Sequence, residues 1–122
     1  MRIAFIAHNA MKAQMVSFAL QNKQLIEELN YKIVTTGSTG DRLEESGFTI
    51  YKKYRSGHDG GDIDIASRVL DNKIVAVFFF IDTKSAHPHD ADIMALIRAC
   101  VLRSVPLALT PSHAQITLKG LK

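Results

Sequence analysis

The sequence has one cysteine and three prolines in 122 residues, and no apolar run long enough to cross a bilayer. Each of these scarcities excludes a class of protein. Cys100 alone cannot close an internal disulfide, which predicts a reducing, cytoplasmic setting. Without a long apolar run no transmembrane helix is expected, and because Met1-Arg2 leads into a short strand pattern no secretory leader is expected either. Repeats, linkers and low-complexity stretches are absent as well. The net charge of +3 is carried by scattered lysines and arginines without interleaved aromatics, so no nucleic-acid surface is expected. A small anionic ligand suits this balance equally well.

What is present is an ordinary globular composition, 47% hydrophobic and 22% charged, over a length that buries one core. A single domain over 1–122 is therefore expected. The runs RIAFIA (2–7) and KIVT (32–35) read as strands, and IVAVFFF (74–80), apolar on both faces, reads as a buried central strand. Weaker strand signals cover Phe48 to Lys53 and Leu107 to Leu109. Between them the period turns helical: Met11, Met15, Phe18 and Ala19; Ile63, Ala66, Val69 and Leu70; and Ile93, Leu96, Ile97, Cys100 and Val101. A shorter helix is predicted from about Thr39 to Gly47, whose glycine suits a left-handed helix end. A last short helix follows Pro111, with Ser112 as a candidate cap. Strands alternating with helices predict an α/β fold: a three-layer open parallel sheet of about five strands with helices on both faces. In such sheets ligands bind at the carboxyl ends of the strands.

Four of those ends carry polar chemistry. AHNAMK puts His8 at the tip of the first strand and Lys12 one turn into a helix. TTGSTG offers the hydroxyls of Thr36, Ser38 and Thr39, with backbone N–H groups around Gly37 and Gly40, as a phosphate cradle; the structural alternative makes Ser38 or Thr39 a helix cap. RSGHDGGD supplies Ser56, Gly57 and Asp62, where a cap explains an aspartate but not the two glycines before it. His58, Asp59, Asp62 and Asp64 are also weighed as metal ligands, although their spacing matches no known set. The central strand exits into IDTKSAHPHDADI, with His87, His89, Asp90 and Asp92; dipole capping accounts for the aspartates and loop exposure for the histidines.

In this order and at these separations, AHNAMK, TGSTG, SGHDGGD and PHDAD resemble methylglyoxal synthases. The resemblance runs from the first strand to about Pro106. It implies a carbon–oxygen lyase that eliminates inorganic phosphate from dihydroxyacetone phosphate through an enediolate, a bypass of glycolysis that needs no metal or organic cofactor. Inorganic phosphate is then product and candidate inhibitor, and the expected assembly is a homohexamer. The resemblance makes Asp62 the base that takes a C3 proton. His8, Lys12, Thr36, Gly37, Ser38, Thr39, Ser56 and Gly57 would surround the substrate, chiefly its phosphate. His89 would contact the substrate oxygens and move a proton, and Asp92 would support the acid–base machinery. A helix end favours the Asp62 carboxylate, whereas burial and Asp92 favour its protonated form.

Some positions depart from the family pattern. Asn9 stands in place of an acid, His58-Asp59 in place of a proline and an apolar residue, and Thr83-Lys84 in place of Pro-Leu; LALT lacks the expected Thr-Asn. Two rival functions share these features. One is a non-catalytic phosphate-sensing domain, since the same fold regulates carbamoyl phosphate synthetase, and the other is a metal-dependent hydrolase.

Overall fold

The structure, a computed structural model, describes residues 1–85 and 90–122. Five strands form one sheet: β1 (Arg2–Ala7), β2 (Lys32–Thr36), β3 (Lys52–Tyr54), β4 (Ile74–Phe80) and β5 (Leu107–Ala108). All pairs are parallel, and the order is β3-β2-β1-β4-β5. Six helices connect and flank them: α1 (Lys12–Gln21), α2 (Lys23–Leu29), α3 (Gly37–Glu45), α4 (Gly61–Leu70), α5 (Asp90–Arg103) and α6 (Pro111–Gly120). The expected three-layer parallel architecture is what the chain adopts.

Side-chain alternation along the central strands builds two cores. Ile3, Phe5, Phe78 and Phe80 point to one face, where α1, α2, α3 and α6 cover them with Met15, Phe18, Ile26, Leu43 and Leu118. Ala4, Ile6, Val77 and Phe79 point to the other, against Ile65 and Val69 of α4 and Leu96 and Cys100 of α5. Phe5 stacks on Phe78 with ring centroids 5.0 Å apart, which ties the two central strands side by side. Between Arg2 and Ile3 the pairing with β4 skips one residue. The extra residue, Val75, reverses the alternation, so that Ile74 joins the second core while Val75 packs on the first. Cys100 is buried there, and burial pushes its thiol up to about 11, so it packs as an inert apolar group.

Several boundaries differ from the sequence expectation. The third strand is Lys52–Tyr54, not 48–53, because Phe48 turns under α3, its N–H donating to Leu43, and joins the core. Tyr51 is instead exposed between the cations of Arg2 and Lys32, at 4.8 and 4.5 Å from its ring. The first helical stretch is two helices, broken at Asn22, and α2 had no separate sequence signal. The last cap is Thr110, whose hydroxyl accepts from the His113 N–H at 3.1 Å; Ser112 lies inside α6.

Asn22 explains the break. Its buried amide donates to the Phe18 carbonyl and to Gln115 Oε1, each at 2.9 Å, and accepts from Gln115 Nε2 at 2.7 Å. This reciprocal amide pair anchors α6 to the α1–α2 corner. Because each partner leaves the other unsatisfied when removed, Asn22→Ala and Gln115→Ala should each cost about 1–3 kcal/mol. The double variant should cost less than their sum, read from urea unfolding midpoints; strict additivity would show that the two amides do not act as a pair.

Candidate functional site

The strand order places the site. From β1 the chain moves outward through β2 to β3 using α1, α2 and α3 on one face, then returns to β4 beside β1 through α4 on the other. The connections leaving β1 and β4 therefore diverge to opposite faces, and a crevice opens at their carboxyl ends. A cavity of about 480 Å³ lies there. Its walls carry His8, Lys12, Thr36, Gly37, Ser38, Thr39, Ser56, Gly57 and Asp62, every described residue to which the resemblance gives a substrate or catalytic role except Asp92.

His8 ends β1. Its N–H donates to the Phe80 carbonyl at 3.2 Å, and its Nδ1 accepts from the Asp82 N–H at 2.9 Å, while the ring stands edge-on to Phe79 at 5.2 Å. An acceptor Nδ1 means that the neutral imidazole carries its hydrogen on Nε2. The main chain after β4 thus selects the tautomer of a side chain on β1. Lys12 opens α1, half-buried, and its ammonium donates to Asn9 Oδ1 and Ser38 Oγ. Burial and, second, the charge of Arg42 hold its pKa below the ordinary lysine value.

Helix α3 begins at Gly37, directly after β2, so neither Ser38 nor Thr39 is the cap: Thr36 holds that position without a side-chain cap bond. The first-turn N–H groups of α3 are directed to the cavity end of the sheet, where an anion finds both donors and the positive end of the helix. The three hydroxyls are not equivalent. Thr39 is buried and its Oγ1 donates back to the Ala7 carbonyl at 3.4 Å, which clamps α3 to β1, whereas Ser38 Oγ accepts from the Lys12 ammonium at the cavity wall.

The glycine question has a backbone answer. Gly60 is the cap of α4 with φ +97°, a left-handed conformation that disfavours other residues. At Gly61 a Cβ would stand 1.8 Å from the Arg55 carbonyl oxygen, so the glycine lets the chain cross itself rather than approach a ligand. Asp62 is consequently the second residue of α4, not its cap. It is only 1% exposed, and it lines the cavity with the positive helix end behind it. Asp64 points elsewhere: Arg55 grips it with two bonds, Nε at 3.0 Å and an Nη at 2.7 Å. Among the described residues no three His, Cys, Asp or Glu side chains converge as metal ligands, so His58, Asp59, Asp62 and Asp64 do not form the candidate set.

A family model described as an MGS-like domain matches residues 14–109. The methylglyoxal synthase of Borreliella afzelii is 38% identical over 99% of this chain and 94% of its own length. That of Lysinibacillus sphaericus is 40% identical over 100% and 90%. The crystal structure of methylglyoxal synthase from Elizabethkingia anophelis matches with a TM-score of 0.86 and 33% identity, covering 96% of this chain and 76% of that one. The chain belongs to the methylglyoxal synthase family.

Within this family member, sequence reasoning assigned no binding or catalytic role to the polar cavity residues Asn9, Asp82 and Ser85, and weighed His58 only as a metal ligand. All lie in the strand-end segments already singled out, but Asp82 acts on His8 through a backbone N–H, for which side-chain identity gives no signal. Asp92 stands half-buried in the first turn of α5 and is not among the residues lining the cavity. His87 and His89 lie outside the described residues.

The Arg55–Asp64 grip fastens the Ser56–Gly60 loop to α4 and so frames Asp62. Hydrogen bonding from Arg55 is the main reason that the Asp64 carboxyl lies below its ordinary pKa. A depressed folded-state pKa contributes stability above the unfolded value of about 3.9, and that contribution disappears as pH falls through the folded value. The urea midpoint of Arg55→Gln should therefore lie below that of the unmodified chain by a constant margin from about pH 5 to 7, and the margin should narrow progressively below about pH 4. A margin undiminished at about pH 3 would assign it to packing instead.

Proposed function

We propose that this chain is a lyase that converts dihydroxyacetone phosphate to methylglyoxal and inorganic phosphate, as the names of its relatives suggest. The observation that carries the reading is one cavity that joins a buried carboxylate, Asp62, to a phosphate cradle formed by Lys12, Ser38 and the start of α3. A cradle alone would serve a sensing domain. A carboxylate withdrawn from water beside it suits proton abstraction.

In this reading Lys12, Ser38, Thr36, Gly37 and Thr39 hold the phosphate with Ser56 and Gly57 opposite. Asp62 takes a proton from the hydroxymethyl carbon, C3, and an enediolate forms. His8, with its hydrogen on Nε2, is a neutral donor at the same wall and suits an oxygen on which negative charge develops. The C2–C3 electron pair then shifts to C1–C2 as the C1–O bond breaks. Phosphate leaves with the bonding pair and takes up the C3 hydroxyl proton as C3 becomes the aldehyde, and the resulting enolate takes a proton at C1. Elimination outruns reprotonation only if the cradle keeps the C1–O bond perpendicular to the enediolate plane, which is a task of positioning as well as of affinity. The PHDAD resemblance assigns His89 to the substrate oxygens and Asp92 to supporting proton transfer. The proposal needs no metal or organic cofactor.

Supplying dihydroxyacetone phosphate and measuring methylglyoxal together with released phosphate tests the reaction. Asp62→Asn should remain folded and bind inorganic phosphate while turnover falls by about 10² to 10⁴ or more. Phosphate binding without turnover by the unmodified chain would favour the sensing domain, and loss of turnover in a chelator would favour the hydrolase.

The proposal extends to one domain over 1–122, working in the cytoplasm on a bypass of glycolysis, and to assembly as a homohexamer. Met94, Val101 and Leu102 of α5, all exposed, are apolar surface that self-association would cover. Light scattering should give six times the mass of one chain. A monomer at micromolar concentration would overturn the assembly.

A further inference from the structure

Arg42 has no part in the site as described so far. It lies one helical turn beyond Ser38 on α3, and residues four apart share a helix face. Ser38 Oγ is the atom that receives the Lys12 ammonium at the cavity wall. Arg42 thus shares a face of α3 with the contact that joins α1 to the phosphate cradle, one turn further from the cavity. Its guanidinium is close enough for its charge to be felt at Lys12, although it is not among the residues lining the cavity.

The acids around it do not neutralise it. Asp41 and Glu44 are both engaged by Lys53, at 2.9 and 2.7 Å. Glu45 lies a further turn away from the cavity, and among the described residues no carboxylate is within bridging distance of Arg42. An exposed, unbridged guanidinium one turn behind a half-buried ammonium adds positive potential around Lys12, at the cost of making Lys12 harder to keep charged. That arrangement relaxes when a phosphate arrives, because the anion is attracted by both cations.

We propose that Arg42 is a capture residue for the phosphate end of the substrate, acting from outside the cavity wall by charge rather than by a fixed hydrogen bond. This inference rests on the proposed reading of the cavity as a phosphate site. It assigns α3 two tasks on one face, with Ser38 holding the bound phosphate and Arg42 drawing it in.

The test is titration of inorganic phosphate by calorimetry with the unmodified chain, Arg42→Gln and Arg42→Lys, all checked for identical circular dichroism. One guanidinium facing a dianion across about 10 Å of solvent is worth about twofold in affinity at low salt. Arg42→Gln should therefore bind phosphate about twofold more weakly at about 20 mM salt and nearly normally at about 0.5 M, where the Debye length shrinks to a few ångströms. Arg42→Lys should match the unmodified chain at both salt concentrations. The inference is overturned if Arg42→Gln binds normally at low salt, if its deficit is the same at high salt, or if Arg42→Lys is as weak as Arg42→Gln. It is also overturned if the unmodified chain binds no phosphate. A chain that binds phosphate but makes no methylglyoxal removes the proposed reaction and leaves these titrations to decide on Arg42.

Discussion

The pairing of β1 with β4 is the constraint on which the rest depends. It brings together two strands whose following segments depart to opposite faces of the sheet, and only between such strands does a crevice open without any loop having to be hollowed out. The phenylalanines that hold this pair together, Phe5 on Phe78 within one core and Phe79 in the other, lie directly beneath the site. Phe79 also meets the ring of His8. Packing of the core and orientation of a cavity side chain are therefore the same event.

Above that floor the site is a balance of burial and charge. Asp62 is withdrawn from water, which destabilises a carboxylate, but it is placed in the first turn of α4, which stabilises one. Lys12 shows the complementary strain, an ammonium weakened by burial and by Arg42. In the proposed reaction a dianionic phosphate would relieve the second tension and a proton the first, both within one cavity.

Asn9 fits this account. An acid in its place would form an ion pair with Lys12, whereas the amide oxygen accepts from the ammonium without cancelling its charge. The full positive charge then stays available to an anion. At the other wall, His58 lines the cavity where the family pattern has a proline, next to the Arg55–Asp64 grip that steadies the same loop.

Local pattern and tertiary contact divided the information unevenly. The apolar run of β4, the alternation in β1 and the helical period of α4 and α5 were plain in the sequence, because burial on both sides of a sheet demands those residues wherever the chain goes. The four strand-end segments that meet at the cavity were legible for the same reason: parallel connections leave polar ends on one edge. The break at Asn22 was not, since it depends on Gln115, far along the chain. Nor was the purpose of Gly61, which is set by the carbonyl of Arg55, or the inward bond of Thr39 to Ala7. The His8 tautomer is decided by an N–H that any residue but proline at position 82 would supply. The sequence by itself determined which groups reach the edge, through periodicity and composition, which are local. Tertiary structure alone decided which way each group faces and which hydrogen is left to offer, because hydrogen bonds between distant segments have no local signature.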